Sequence, residues 1–400
     1  MKTRTEYYTQ IDSQLAALEK AGTYKRLRHI ASPMDAYVEM EGHGRVLVLS
    51  SNNYLGLANH PAVVAAGVKC LATHGAGTAS VRFICGTFAV HRALEQRLAD
   101  LVGTEAALSY VSCWNANEGV IPVVVGADGA VISDELNHAS IIDACRLVQK
   151  SARKLVYKHG DMADLEAKLK ENQDVPVRLV VTDGVFSMEG SVCTLPEIVA
   201  LAEKYEALVM VDDSHATGVL GATGRGTPEH FGLIGKVDII TGTLGKTLGG
   251  AAGGFAAGRK SLINLLIQKS RPQLFSNALP PTVAASALEA INVLMREPER
   301  VKRLHEKTDC FRAKMKQLGF SPLEGRSAIV PLIVGDTAFA ISISEKLLKR
   351  GVFVTGFGFP VVAEGTARVR CQISDALTHA DLDLALKAFA EVGREVGLLK

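Results

Sequence analysis

Two segments of the chain run from apolar residues straight into ionisable side chains. ALVMVDDSHATG leads into Asp212, Asp213 and His215, and VDIITGTLGKTLGG leads into Thr243 and Lys246, 34 positions after Asp212. Each places polar groups where a buried strand would emerge. A carboxylate and a lysine converging at one edge of a sheet meet the needs of pyridoxal phosphate. The amine forms an imine with the cofactor aldehyde, and the carboxylate keeps the ring nitrogen protonated, so the ring can accept electrons from a carbanion. In a partly dry site a charge-assisted bond from Asp212 to that nitrogen would be strong. Taken singly, the motifs have plainer readings: VDD as an acid pair on a metal, and a lysine after glycine as an ordinary turn.

Other segments match the remaining needs of such a cofactor. SYVSCWNANEG ends a strand and opens a helix, which turns the amides of Cys113 and Trp114 toward a phosphate at the positive end. Thr243, and Ser276 and Asn277 in RPQLFSNALPP, add hydroxyl and amide donors. SDELNHASIIDA puts His138 at a helix start, placed to stack on the pyridine ring, and TDGVFSMEG places Ser187 within reach of the phenolic oxygen. A histidine or serine after a strand is more often a cap or a satisfied turn. The joint occurrence in this order along one chain is what favours a site.

Positioning these residues requires a sheet. Candidate strands are Ala106–Val111, Ala130–Ser133, Lys154–Val156, Arg178–Thr182, Ala207–Val211, Asp238–Thr241 and Gly253–Ala257, several of them continuous valine- and isoleucine-rich runs. Helical stretches at Val90–Leu101, Ala139–Gln149, Met162–Lys170 and Leu195–Lys204 alternate with them. The alternation predicts an α/β fold with a mostly parallel sheet, whose active site lies beyond the carboxyl ends of the strands. Composition changes after about Ala284. A long helix over Ser286–Leu318 is expected, then a strand Ile329–Val334, a helix Ala338–Lys349, strands Val352–Thr355 and Arg368–Ile373, and a terminal helix from about His379. The expected organisation is an N-terminal helix and strand over residues 1–55, a large domain over 56–285 and a smaller α+β domain over 286–400. The first helix, about Glu6–Lys20, offers Leu15 and Leu18 for docking.

With 400 residues, 48% hydrophobic and 22% charged, the chain can bury a large core. A formal net charge of +2 with scattered basic residues gives no indication of nucleic acid binding. Seven dispersed cysteines without a C-x-x-C pair argue against a disulfide framework or structural zinc, and for reduced thiols in the cytoplasm. The N-terminus lacks the apolar core of a signal peptide, and no run of about 18 apolar residues suits a membrane span.

The chain resembles the α-oxoamine synthase family of fold-type I pyridoxal-phosphate enzymes, from about Tyr24 to the C-terminus. The resemblance rests on SNNYLGLANHP, SVRFICGT, SDELNHASIIDA, TDGVFSMEG, VDDSHATG, GTLGKTLGG and RPQLFSN. It implies a condensation of an amino acid with an acyl-CoA in a homodimer with shared active sites. SVRFICGT and DIITGTLGK point to glycine and acetyl-CoA as the pair. Residue by residue, Lys246 would carry the cofactor and, once released, remove the α-proton. Asp212 would meet the ring nitrogen, His215 and Ser187 the phenolic oxygen, and His138 the ring face and the acyl oxygen. Cys113, Trp114 and Thr243, with Ser276 and Asn277 of a neighbouring subunit, would hold the phosphate. Asn53 and Arg370 in ARVRCQIS would bind the amino-acid carboxylate, and Arg82 is a candidate for the CoA phosphates. No metal is expected.

Two positions depart from the family pattern. Trp114 stands where phenylalanine or tyrosine is usual, and Leu377 in ISDALTHADLD stands where relatives carry histidine. The second departure bears on substrate identity. Rival readings are a synthase using another amino acid or a longer acyl-CoA with decarboxylation, an aminotransferase needing a keto acid and no thioester, and a silent subunit that would be colourless.

Overall fold

The computed structural model describes residues 3–400. Near the N-terminus β1 (Tyr37–Met40) and β2 (Gly44–Val48) form an antiparallel hairpin. The next strands are β3 (Ala106–Tyr110), β4 (Ala130–Asp134), β5 (Arg153–Tyr157) and β6 (Arg178–Asp183). They are followed by β7 (Leu208–Asp212), β8 (Ile239–Thr243) and β9 (Gly254–Gly258). The last third holds β10 (Ile329–Gly335), β11 (Val352–Phe353), β12 (Thr355–Phe357) and β13 (Ala367–Gln372).

Strands β3 to β9 form one seven-stranded sheet in the order β3-β9-β8-β7-β6-β4-β5. Neighbours from β8 to β5 run parallel, and β9 lies antiparallel to both β3 and β8. This is the mostly parallel α/β sheet that the alternation predicts. Its apolar runs are continuous because both faces are covered. Val180, Val209 and Val211 pack into one cluster with Leu98, Leu165 and Ile198 of the helices on that side. Leu179, Val181 and Met210 pack into the other with Val120, Ile141 and Leu266.

Two expected elements are divided. The stretch Ser286–Leu318 is two helices, Pro281–Arg296 and Glu299–Gln317. Pro298 has no amide hydrogen and restricts the residue before it, and Glu297 leaves the helical region at φ −126°, ψ 56°. The expected strand Val352–Thr355 belongs to two sheets. Val352 and Phe353 pair in parallel with β2, whereas Thr355–Phe357 pair antiparallel with β13. The N-terminal hairpin is thereby bonded to the last third of the chain. The helix Arg4–Lys20 forms with a capping box at Thr3 and Glu6, yet it buries no residue, and Leu15 and Leu18 are exposed. Among the described residues no helix is long and apolar enough to cross a membrane.

The smaller sheet, β10-β13-β12, is tied through the loop after β13 to the segment after β2 and to the helix Glu299–Gln317. Asp375 donates its amide to Tyr54 O at 2.7 Å, and its buried carboxylate takes Arg303 Nη2 at 2.6 Å and Lys307 Nζ at 2.9 Å, with Arg300 Nη1 at 3.7 Å. Burial pushes this carboxyl up, but the bonds from Arg303 and Lys307 outweigh it and hold it below its usual value. Asp375→Ala is therefore expected to cost about 2–3 kcal/mol in urea unfolding, less than a fully buried pair because Arg303 is half exposed. That contribution is present above the unfolded carboxyl pKa of ~3.9. It disappears as pH falls through the lower folded value, so the two proteins should converge in stability in acid.

Candidate active site

The carboxyl ends of β6, β7 and β8 open on a cavity of about 200 Å³. Lys246, Asp212, His138, Cys113, Trp114, Ser187, His215 and Thr243 all line it, together with Ser112, Ser140, Asp183, Val185 and Ser214. Asp212 is the last residue of β7, and its neighbour Asp183 the last of β6, in register with it. Lys246 follows β8 in a turn that Thr243 closes, its hydroxyl accepting from Gly245 N and donating to Gly253 O, both at 3.1 Å.

Electrostatics differ from group to group. Burial drives Lys246 down from its ordinary value to about 8, against the opposing pull of Asp212. Burial raises Asp212, but hydrogen bonds from Ser214 and Asn117 and the charge on Lys246 more than reverse this, so it stays ionised. Asp183, desolvated and beside Asp212, is pushed well up from the usual carboxylate value. His215 is pushed well down, first by burial and then by the charges of Lys246 and Arg370, and its Nδ1 lies 2.8 Å from Tyr54 Oη. Two carboxyls at adjacent strand ends are thus shifted in opposite directions.

The helix Cys113–Val125 points its N-terminus at this cavity, with Ser112 as cap accepting from Asn115 N at 3.1 Å. Its first amides are unbonded within the helix and form an anion seat. The close approach of β9 depends on Gly254, where a Cβ would come within 2.3 Å of Cys113 N and 2.4 Å of Ser112 C. Gly254→Ala must displace that helix start. The expected cost is about 1–3 kcal/mol of phosphate binding, or about 5- to 150-fold in cofactor affinity, read by equilibrium dialysis.

An amine of lowered pKa, an ionised carboxylate, an imidazole in the cavity wall, a hydroxyl at Thr243 and a helix N-terminus are the set that pyridoxal phosphate needs, and the residues present fit it. Arg370 supplies a further sign of a ligand. It is buried on β13, donating Nη1 to Ser187 O at 2.6 Å and Nη2 to Gln372 Oε1 at 3.2 Å, while its buried Nε has no partner among the described residues.

Similarity to known proteins follows the same lines. The family described as aminotransferase class I and II matches residues 44–389. The chain belongs to this family. Within it, the chain is 47% identical over 390 residues to the mitochondrial 2-amino-3-ketobutyrate coenzyme A ligase of Bos taurus, covering 97% of this chain and 93% of the relative. The enzyme of that name from Escherichia coli (strain K12) is 44% identical over 398 residues, 99% and 100% of the two chains. An 8-amino-7-oxononanoate synthase of Symbiobacterium thermophilum is 48% identical over 387 residues, 96% and 98%. Among solved structures, a serine palmitoyltransferase from S. paucimobilis with PLP and myriocin bound superposes with a TM-score of 0.93 at 31% identity, covering 100% of both chains. The α-oxoamine synthase resemblance and the fold-type I architecture therefore stand.

Not every expected residue meets the cavity. Ser276 and Asn277 line a separate small pocket with Arg82, Ser109 and Gln273. Asn53 turns its side-chain carbonyl to Ala58 N at 3.1 Å, holding its own loop. Its neighbour Asn52 is the one joined to Arg370, through Gln372, whose Nε2 donates to Asn52 Oδ1. Arg82 is not free for an anionic ligand, because both Nη atoms grip Glu95 at 2.5 and 3.1 Å in a largely buried pair. Leu377, the position of the family histidine, is a core residue 1% exposed. Trp114 is accommodated at the first helical turn, with Nε1 donating to Glu118 Oε1 at 2.9 Å.

Residues passed over in the sequence complete the site. Asn117, one helical turn after Cys113, donates Nδ2 to Asp212 Oδ2 at 2.7 Å and to Ser140 Oγ at 2.9 Å. Spacing i, i+4 in CWNANEG was the available signal, since it puts Cys113 and Asn117 on one helix face. Asp183, the second residue of TDGVFSMEG and the last of β6, accepts from His138 N at 2.9 Å.

Proposed function

We propose that the chain is a pyridoxal-phosphate-dependent acyltransferase of the glycine C-acetyltransferase type, condensing glycine with acetyl-CoA to 2-amino-3-oxobutanoate and CoA. The observation that carries this reading is one buried cavity holding the amine of Lys246, the ionised carboxylate of Asp212 and His138. It stands in a chain whose relatives bear the name 2-amino-3-ketobutyrate coenzyme A ligase over nearly their whole length. When bound, the cofactor supplies an electron sink for the α-carbon of the amino acid.

The residues divide the remaining work. Arg370 binds the amino-acid carboxylate through its unpartnered Nε edge, with Asn52 held beside it by Gln372. Lys246 Nζ, with a pKa of about 8, takes the α-proton near neutral pH. Asp212 keeps its charge throughout, and His215 stays neutral as a hydrogen-bonding group. His138 donates to the thioester carbonyl oxygen while the α-carbon bonds to the carbonyl carbon and CoA leaves as the thiol. The amides of Cys113 and Trp114 and the hydroxyl of Thr243 hold the phosphate. We assign Ser276 and Asn277 to the same task in the partner's site of a homodimer, which is consistent with their separation from the cavity of their own chain. We also assign the protein to the cytoplasm, in keeping with its seven free cysteines.

The 48% identity to an 8-amino-7-oxononanoate synthase favours one second reading, a different amino acid or longer acyl chain with decarboxylation. Thiol release, measured across glycine, alanine and serine with acetyl-CoA and long-chain acyl-CoAs, separates the two. Fastest release with glycine and acetyl-CoA is expected. Fastest release with alanine and a long thioester, accompanied by carbon dioxide, would replace the first reading by the second.

A further inference from the structure

We propose that Asn117 and Ser140 are positioning residues that fix His138 as the tautomer carrying its proton on Nε2. The assignment of an acyl-oxygen donor to that nitrogen rests on the function proposed above; the tautomer itself does not.

The argument is one of hydrogen-bond direction. Ionised Asp212 can only accept, so the amide facing its Oδ2 at 2.7 Å must present Nδ2, and the orientation of Asn117 is set. Its Oδ1 then accepts from Thr241 Oγ1 at 2.8 Å, and its second Nδ2 hydrogen goes to Ser140 Oγ at 2.9 Å. Ser140 Oγ lies 2.8 Å from His138 Nδ1 and turns its one proton there, because that nitrogen is made an acceptor by a group that can only donate. The backbone amide of Ser140 donates to the same Nδ1 at 3.2 Å. Two donors converge on Nδ1, so that nitrogen keeps its lone pair and the ring proton resides on Nε2.

Asn117, Ser140 and Thr241 are essentially inaccessible to solvent, so water does not compete for these bonds. The ring is held from other sides as well: Asp183 accepts from its backbone amide, and Trp114 meets it edge-on at 5.9 Å. Asp212, Lys246, His215, Asp183 and Cys113 are the other charged or titratable groups lining the cavity. Burial, the largest influence, lowers the pKa of His138, so a neutral ring with one defined donor is what the cavity receives. The carboxylate expected at the cofactor nitrogen and the imidazole expected over the ring face are thus oriented by one buried amide.

Histidine-selective 15N labelling of the cofactor-loaded protein reads the tautomer directly, with the His138 signals assigned by their loss in His138→Gln. A protonated Nε2 and unprotonated Nδ1 are expected in the wild type. Ser140→Ala removes the hydroxyl donor and should introduce an Nδ1–H population or raise the pH midpoint of His138, and Ser140→Thr should restore the wild-type signals. Should Ser140→Ala fold poorly, near-isosteric Ser140→Cys, a weak donor, gives the same readout. In turnover, Ser140→Ala should lower kcat about tenfold with KM for glycine little changed. An Nδ1–H wild type, or a Ser140→Ala spectrum identical to it, overturns the proposal. A shifted tautomer with unchanged kcat would uphold the relay and remove the acyl-oxygen role from His138.

Discussion

Lys246→Ala is expected to lower turnover by about 10³-fold or more and to abolish the visible absorbance of the cofactor-loaded protein. Both effects come from one atom. Nζ is the only candidate in the cavity for covalent attachment of an aldehyde, and burial brings its pKa to about 8, which makes it a usable base near neutrality. Cofactor should still be retained, weakly, by the helix start at Cys113 and by Asp212, so dialysis distinguishes lost chemistry from lost binding. In the wild type without cofactor, reaction of Lys246 with the aldehyde should rise with pH through a midpoint near 8 and level off above it, because only the neutral amine attacks. Normal turnover by the pure variant would be incompatible with the proposed function.

Asp212→Asn keeps the shape of the side chain and removes its charge. Turnover should fall by about 10²–10³-fold, the scale on which a well-placed electrostatic partner acts. The sign on the lysine can be derived independently. Asp212 raises the pKa of Lys246, so without its charge the amine should titrate below 8 and the midpoint of aldehyde attachment should move to lower pH. A rise in that midpoint, or unchanged turnover, would mean that the carboxylate does not act where its position suggests. Asn117 turns the same substitution into a test of the buried network, since an amide at position 212 can present either oxygen or nitrogen and no longer forces the direction of the bonds beyond it.

The fold class and the strand-end residues were legible in the linear chain. A strand covered on both faces writes itself as a run of branched apolar residues, and Asp212, Thr243 and Lys246 follow such runs directly. Eight expected residues share the cavity for this reason: each lies at or just beyond a strand end, and a parallel sheet gathers those ends on one side. Helix boundaries were blurred at Pro298, where periodicity continues although the backbone cannot.

Only the tertiary structure decided the contacts that depend on direction across distance. Asn52 and Asn53 are alike in a string of letters, and it took the pairing of β13 beside their loop to give one to Gln372 and leave the other to its own backbone. Arg82 reads as a free cation until Glu95 is seen against it, and Leu377 reads as a missing histidine until it proves to be core. Residue type and strand periodicity are local properties that a chain carries openly. Which of two adjacent side chains faces a partner 320 positions away is set by packing, and packing exists only in the folded molecule.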